Sequence, residues 1–135
     1  MGLCNLRHLD EEIKKRAQVT ERYREKLEGI PGLQMNVLQE KVKRNYAYFP
    51  IVIDEREFGA TRNEVFHALE QNGIGARKYF YPLTNSFECY HGKFDPEKTP
   101  VALHVSNRVL TLPLYADLAL EDVDRICAVI RGMVR

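Results

Sequence analysis

The sequence has few cysteines and no long hydrophobic run, and each shortage excludes a class of protein. The 135 residues include three cysteines, Cys4, Cys89 and Cys127. An odd number of widely spaced cysteines is a poor basis for a disulfide framework and indicates a reducing compartment. No apolar run approaches the roughly 20 residues that a membrane helix needs, and the first residues lack the apolar core of a secretion signal. We therefore predict a cytoplasmic protein without a membrane segment.

An excess of charge of either sign is missing as well. Charged residues make up 29% of the sequence, but the formal net charge at pH 7 is only +1. The basic residues near the N-terminus alternate with glutamates, which would repel phosphate groups. Neither a nucleic acid nor a membrane surface is therefore an expected partner.

Motifs for metal or dinucleotide binding are also lacking. Cys89 and His91 could form half of a zinc site, but a structural zinc needs four ligands in paired spacing and the other histidines are scattered. The glycines of residues 73–75 follow a predicted helix rather than precede one, which is the wrong context for a dinucleotide fingerprint. We expect no bound metal, and we interpret these glycines as the end of a helix and the entry to a strand.

The first clear element is a long helix over residues 3–28. Leu6, Leu9 and Ile13 begin an apolar face with helical spacing, and Pro31 prevents the helix from continuing. The helical pattern begins directly after Met1 without an entry loop, so we expect that the chain is part of a longer protein.

Short strands and helices follow and predict an α+β domain with a small, largely antiparallel sheet covered by helices. Thr61 and Glu64 form a capping box, and Pro50 requires a bulge or an unpaired side in its strand. The remaining predicted elements are strands at 32–38 and 45–54, a loop at 54–60, a helix at 62–72, a strand at 74–81, a loop at 84–98, a short helix beginning at Pro100, a strand at 109–112 and a helix at 120–134.

Two stretches share an unusual plan: GIGARKYFYPLT at residues 73–84 and HVSNRVLTLPLYADL at residues 104–118. In both, a polar cluster with an arginine precedes a short apolar strand that ends in Pro-Leu. Turn chemistry alone explains the prolines, so an edge strand with a turn remains an alternative to a ligand-binding role. The alternation of a strand would place Lys78 and Phe80 opposite a second set of side chains, those of Arg77, Tyr79 and Tyr81.

In this order, the two stretches resemble the C-terminal part of the DegT/DnrJ/StrS family of sugar aminotransferases. The strand NYAYFPIVID and the first helix also resemble segments of that family, so the resemblance covers essentially the whole chain. The matched positions are Gly73-Ile74, Ala76-Arg77, Tyr79-Phe80, Pro82-Leu83, Ser106, Arg108-Val109-Leu110, Leu112-Pro113-Leu114-Tyr115 and Glu121-Asp122.

The resemblance implies the small domain of a fold type I, pyridoxal-phosphate-dependent enzyme. Residues 1–28 would be the helix that links two domains, and residues 29–135 would be the small domain. Because part of such a helix packs on the large domain, we expect Leu3, Leu6 and Leu9 to form an exposed apolar stripe in this chain. The intact enzyme, a homodimer, would move an amino group from glutamate to a keto group on a nucleotide-linked sugar. In that family the Schiff-base lysine lies in an N-terminal domain, so the resemblance implies that the lysine is outside this sequence. The chain alone is therefore expected to bind no pyridoxal phosphate and to have no catalytic residue.

The resemblance also implies which residues face the substrate: Arg77, Tyr79, Tyr81, Thr84, Asn107 and Arg108. Thr84 stands where the family often has a histidine. Arg108, with Asn107 beside it, is the candidate clamp for the carboxylate of the amino donor, because a guanidinium pairs with a carboxylate through two parallel hydrogen bonds. Arg77 is its rival, and a plain helix-capping role for Arg108 is the structural alternative.

Two other functions remain open from the sequence. The chain could be a stand-alone binding or interaction domain that keeps the fold without the chemistry. It could also be a small regulatory α+β domain, unrelated to the family, that binds a ligand.

Overall fold

The computed structural model describes residues 2–90 and 92–135. Three 3-10 turns, Thr84–Ser86, Glu88–Tyr90 and Pro96–Lys98, occupy much of the predicted loop. The helices and strands in the described ranges are α1 (Gly2–Leu27), β1 (Leu33–Met35), β2 (Phe49–Ile53), α2 (Glu55–Phe58), α3 (Arg62–Gln71), α4 (Pro100–Arg108), β3 (Val109–Leu112) and α5 (Leu120–Arg131).

The three strands form one antiparallel sheet in the order β1-β2-β3, which confirms the predicted fold class. Pro50 lies opposite Thr111 in the register of β2 and β3. The backbone N–H and C=O of Thr111 both bond to Arg77 on the far side of β3. The missing N–H of Pro50 therefore leaves no group of Thr111 without a partner. Its nitrogen faces the side where β1 has already ended opposite Ile51. The prediction of an unpaired side at Pro50 is therefore confirmed.

The core lies between the sheet and the helices α1, α3 and α5. Phe49, Ile51 and Ile53 alternate into it and are at most 1% exposed, as the pattern of residues 45–54 predicts. Tyr23 of α1 stacks on Phe49 with ring centroids 4.8 Å apart. Its hydroxyl donates to the carbonyl oxygen of Pro113 at 2.9 Å. Burial of each such side chain contributes about 1.5–3 kcal/mol, which makes this contact a major source of stability.

Charged groups join α1 to α5 at the surface of this core. The guanidinium of Arg22 donates to both carboxylate oxygens of Asp124, at 2.8 and 2.7 Å. Lys26 approaches the same carboxylate at 3.6 Å. This ion pair holds the pKa of Asp124 below its ordinary value, chiefly through the hydrogen bond from Arg22.

Five sequence predictions need correction. The strand predicted at 45–54 begins only at Phe49, because Asn45 accepts a hydrogen bond from the backbone N–H of Ala47 in a local turn and Tyr46 has a positive φ of 49°. The strand predicted at 32–38 ends at Met35, since Asn36 is bound by the side chain of Arg24. The helix predicted at 120–134 ends at Arg131.

The fourth correction concerns the loop after β2, which contains the helical turn α2. Asp54 caps it by accepting a hydrogen bond from the backbone N–H of Arg56 at 3.0 Å, and Gly59 ends it with a φ of 86°. The capping box that begins α3 was predicted and is present, with Thr61 and Glu64 bonded to each other reciprocally.

The predicted strand at 74–81 is absent as well, and its place is taken by an irregular segment. Arg77 forms one isolated bridge with Thr111, and the peptide bonds Tyr79–Phe80 and Tyr81–Pro82 that follow are cis. Tyr79 meets the rings of Tyr48 and Phe80, and Tyr81 lies against the guanidinium of Arg62. These side-chain contacts accompany an irregular backbone, although the residue types favour a strand.

The N-terminal part of α1 extends beyond the core. Leu3, Leu6 and Leu9 are 78%, 64% and 43% exposed, which confirms the apolar stripe predicted from the sequence. No helix in residues 2–90 and 92–135 is long and apolar enough to cross a membrane.

Candidate functional site

Two clefts flank β3, one at each end of the strand. Cleft A, at the C-terminal end of β3, has a volume of about 360 Å³ and is lined by Tyr48, Arg77, Tyr79, Thr111, Pro113 and Tyr115, among others. Cleft B, where α4 passes into β3, has a similar volume of about 360 Å³ and is lined by Glu55, Thr61, Arg62, Asn63, Tyr81, Asn107 and Arg108, together with Ile53. Each cleft falls within the size range of small-molecule sites.

One segment of the chain contributes to both clefts. The backbone of Arg77 exchanges two hydrogen bonds with Thr111, at 3.0 and 2.7 Å, and runs antiparallel to β3. Residues after Arg77 therefore pass from the end of β3 toward its beginning. Tyr79 lies in cleft A and Tyr81 lies in cleft B.

Cleft A combines a guanidinium with aromatic rings. Arg77 donates to the hydroxyl of Tyr79 at 2.6 Å. The ring of Tyr79 meets that of Tyr48 edge to face, with centroids 5.8 Å apart. The hydrogen bond from buried Tyr23 to Pro113 connects the wall of this cleft to the core. The arrangement offers flat apolar faces and a positive charge, which suits a ligand with rings and anionic groups.

Cleft B holds the second pair of predicted site residues, at the end of α4. Arg108 donates from Nη1 to the carbonyl oxygen of His104 at 3.3 Å, one turn back in its own helix. Its Nε is buried and has no hydrogen-bond partner among the described residues. The helix-capping role that the sequence left open for Arg108 is therefore present, and Asn107 lies exposed beside it.

The most buried charge of cleft B is Arg62, which sequence reasoning missed. Its side chain is 4% exposed, and Nη1 donates to the carbonyl oxygens of Ser106 and Val109 at 3.3 and 3.1 Å. Burial lowers the pKa of Arg62. The sequence does contain an indication of this role. A cation in the first turn of a helix interacts unfavourably with the macrodipole, so an arginine there indicates a compensating contact elsewhere.

The predicted site residues do not line one common cleft in the structure. Arg77 and Tyr79 line cleft A, whereas Tyr81, Asn107 and Arg108 line cleft B. Thr84 lines neither cleft; it is exposed and begins a 3-10 turn.

The predicted alternation within residues 77–81 is also wrong. The rings of Tyr79 and Phe80 lie only 5.3 Å apart, although neighbours in a strand point to opposite faces. Lys78 places its ammonium 4.4 Å from the ring centroid of Phe66.

The clefts do not by themselves fit a pyridoxal phosphate site. Among the described residues that line them there is no lysine, and Glu55 in cleft B is the one carboxylate. For metals, the described part of the chain contains no group of three His, Cys, Asp or Glu side chains placed to hold an ion. Of the pair considered from the sequence, Cys89 is exposed and His91 lies outside the described residues.

Comparison with known families and proteins gives consistent matches along the chain. The profile of the DegT/DnrJ/EryC1/StrS aminotransferase family matches residues 1–131. The dTDP-4-amino-4,6-dideoxy-D-glucose transaminase of Escherichia coli is 37% identical over 133 residues, which are 97% of this chain and 36% of that protein. The GDP-perosamine synthase of Vibrio cholerae is 28% identical over 132 residues, covering 98% of this chain and 35% of that protein.

Solved structures give the same answer for the fold. DesI, crystallised in the presence of its TDP-sugar product, superposes with a TM-score of 0.89 and 29% identity over 98% of this chain and 33% of its own. The three-stranded sheet with its helices is thus the small-domain fold of fold type I aminotransferases, as the resemblance implied. The chain spans about a third of the length of the relatives it matches.

Proposed function

The chain belongs to the DegT/DnrJ/EryC1/StrS aminotransferase family, and we propose that it is the C-terminal small domain of a sugar-nucleotide aminotransferase. The enzyme would transfer an amino group from glutamate to a keto group on a nucleotide-linked sugar. The observation that carries this proposal is the match to a sugar transaminase over 97% of the chain. Residues 1–28 would serve as the linking helix and residues 29–135 as the small domain.

Cleft B is proposed to bind the amino donor. The Nη1 atom of Arg108 donates to the carbonyl oxygen of His104. The clamp would therefore use Nη2 and the second N–H of Nη1. Asn107 lies next to it and offers an amide donor. A carboxylate of glutamate could then accept hydrogen bonds from both side chains, and charge-assisted bonds of this kind are among the strong ones.

Cleft A is proposed to bind the nucleotide-linked sugar. Tyr79 and Tyr48 present aromatic surface on which a base or a sugar ring can pack, and Arg77 carries a charge suited to phosphate. Thr84, in place of the family histidine, has a hydroxyl but no imidazole, so any contact it makes would differ in kind. We propose that this difference affects which sugar is accepted.

Pyridoxal phosphate, when bound in such an enzyme, supplies the electron sink and carries the amino group. We propose that an N-terminal domain outside this sequence would hold it, since the chain spans about a third of the length of its relatives. The described residues that line the two clefts include no lysine. The role left to this chain is to bind and orient the two substrates. A homodimer is proposed for the intact enzyme.

The proposal is tested on the reading frame that encodes the chain. The frame is sequenced upstream, expressed in full, and assayed with glutamate and a panel of keto sugar nucleotides, with the amino sugar product detected by mass spectrometry. We expect an upstream domain with a Schiff-base lysine and glutamate-dependent formation of product. A frame that begins at Met1, with no such domain, would instead support the stand-alone binding domain.

A further inference from the structure

We propose that Arg62 is a positioning residue: it fixes Tyr81 and the end of α4 relative to each other, and so sets the shape of cleft B. The inference rests on the proposed function only where it says that cleft B faces a substrate. The physical coupling between Arg62 and its neighbours is independent of any ligand.

The contacts of Arg62 connect three elements. The side chain leaves the first turn of α3, and its Nε donates to Oδ1 of neighbouring Asn63 at 3.0 Å. Its Nη1 atom donates to the carbonyls of Ser106 and Val109, which lie on either side of Asn107 and Arg108 in the chain. On its other side, the flat guanidinium lies 4.8 Å from the ring centroid of Tyr81.

The segment around Tyr81 depends on such side-chain contacts. In the described chain, residues 78–82 make no backbone–backbone hydrogen bond to the rest of the protein. Phe80 is 75% exposed, so it contributes little packing. Lys78 contacts the ring of Phe66, Tyr79 contacts that of Tyr48, and Tyr81 contacts the guanidinium of Arg62 at cleft B. Without the contact to Arg62, we expect Tyr81 to adopt several positions.

An arginine suits this position better than a lysine. A guanidinium has five N–H donors in one plane, so it can satisfy two carbonyls at the end of α4 and still present a flat face to an aromatic ring. An ammonium is a compact charge that cannot do both. The carbonyls at a helix C-terminus are partly negative and favour a cation. The other charged residues that line the cleft are Glu55 and Arg108.

The test compares Arg62→Lys with a matched control, Arg125→Lys, by ¹⁵N relaxation on the 135-residue chain. Arg125 also donates to a backbone carbonyl at a helix end, that of Asn72 at 3.1 Å, but far from cleft B. We expect order parameters of Phe80, Tyr81 and Leu83 near 0.85 in the unchanged chain to fall toward 0.6 or below in Arg62→Lys, while β2 and β3 keep their values. The control should leave the segment unchanged.

A second variant, Tyr81→Leu, protects the test against misfolding of the first. It keeps Arg62 and its carbonyl contacts but removes the ring, so the segment should loosen as it does in Arg62→Lys while α4 stays ordered. The double variant should loosen the segment no further. Rigid residues 80–83 in both single variants would overturn the proposal, as would a general loss of order that includes the core strands. Because no substrate is used, a negative transamination assay would not affect this result.

Discussion

Two aromatic-rich regions of this protein differ in how deeply their side chains are buried. Strand β2 buries Phe49 at 1% exposure, whereas the segment after Arg77 leaves Phe80 75% exposed. The difference is that β2 pairs with β1 on one side and with β3 on the other and packs on the helices of the core. In the described part of the chain, residues 78–82 instead make no backbone–backbone hydrogen bond. A run of aromatic residues therefore makes a core strand only where the sheet supplies neighbours. In this chain the second run lies beside the candidate clefts instead.

The largest expected effect distinguishes the two regions with one kind of substitution. Phe49→Ala removes a ring that stacks on Tyr23 inside the core, and should reduce the free energy of unfolding by about 3–5 kcal/mol. Phe80→Ala should change it by no more than about 0.5 kcal/mol, as for an ordinary surface site. Urea unfolding followed by circular dichroism measures both. Equal losses would show that the two regions do not differ as described.

A smaller effect is expected where the core supports cleft A. Tyr23→Phe keeps the ring but removes the hydrogen bond to the carbonyl of Pro113. The free energy of unfolding should fall by roughly 0.5–1.5 kcal/mol. Tyr90→Phe, at a residue that is 38% exposed, is the matched control and should change little. A Tyr23→Phe protein as stable as the unchanged chain would mean that this bond contributes nothing to the support of the cleft.

The sequence predicted the core better than the clefts, for a physical reason. Burial in β2 and α5 follows from a repeat of apolar residues, which depends on local spacing. Cleft B depends instead on Arg62 meeting carbonyls 44 and 47 residues away, and no local pattern specifies such a contact. The family resemblance supplied Tyr81, Asn107 and Arg108 as candidates, but it did not show that Arg77 and Tyr79 lie in a separate cleft.

The smallest expected effect is a dependence on pH at the junction of α1 and α5. The carboxylate of Asp124 has a pKa held below its ordinary value of 3.8 by Arg22. A lowered pKa in the folded state means that the contribution is fully present above the ordinary value and is lost as the pH falls through the lower, folded value. Thermal unfolding should thus show Asp124→Asn to be less stable than the unchanged chain at pH 7, with the difference vanishing in strong acid. A difference that persists unchanged in strong acid would contradict the role of this ion pair.

We propose that residues at the two ends of β3, and not the core, would contact the substrates of the intact enzyme. The most direct measurement is kcat/KM for glutamate in the enzyme expressed from the full reading frame, with Arg108→Lys compared against Arg125→Lys. A carboxylate clamp predicts a loss of about tenfold or more for Arg108→Lys, since lysine keeps the charge but not the fork. The melting temperature and the control should change little. Unchanged glutamate kinetics, or a loss that follows a fall in melting temperature, would contradict the claim and leave Arg108 as the cap of α4.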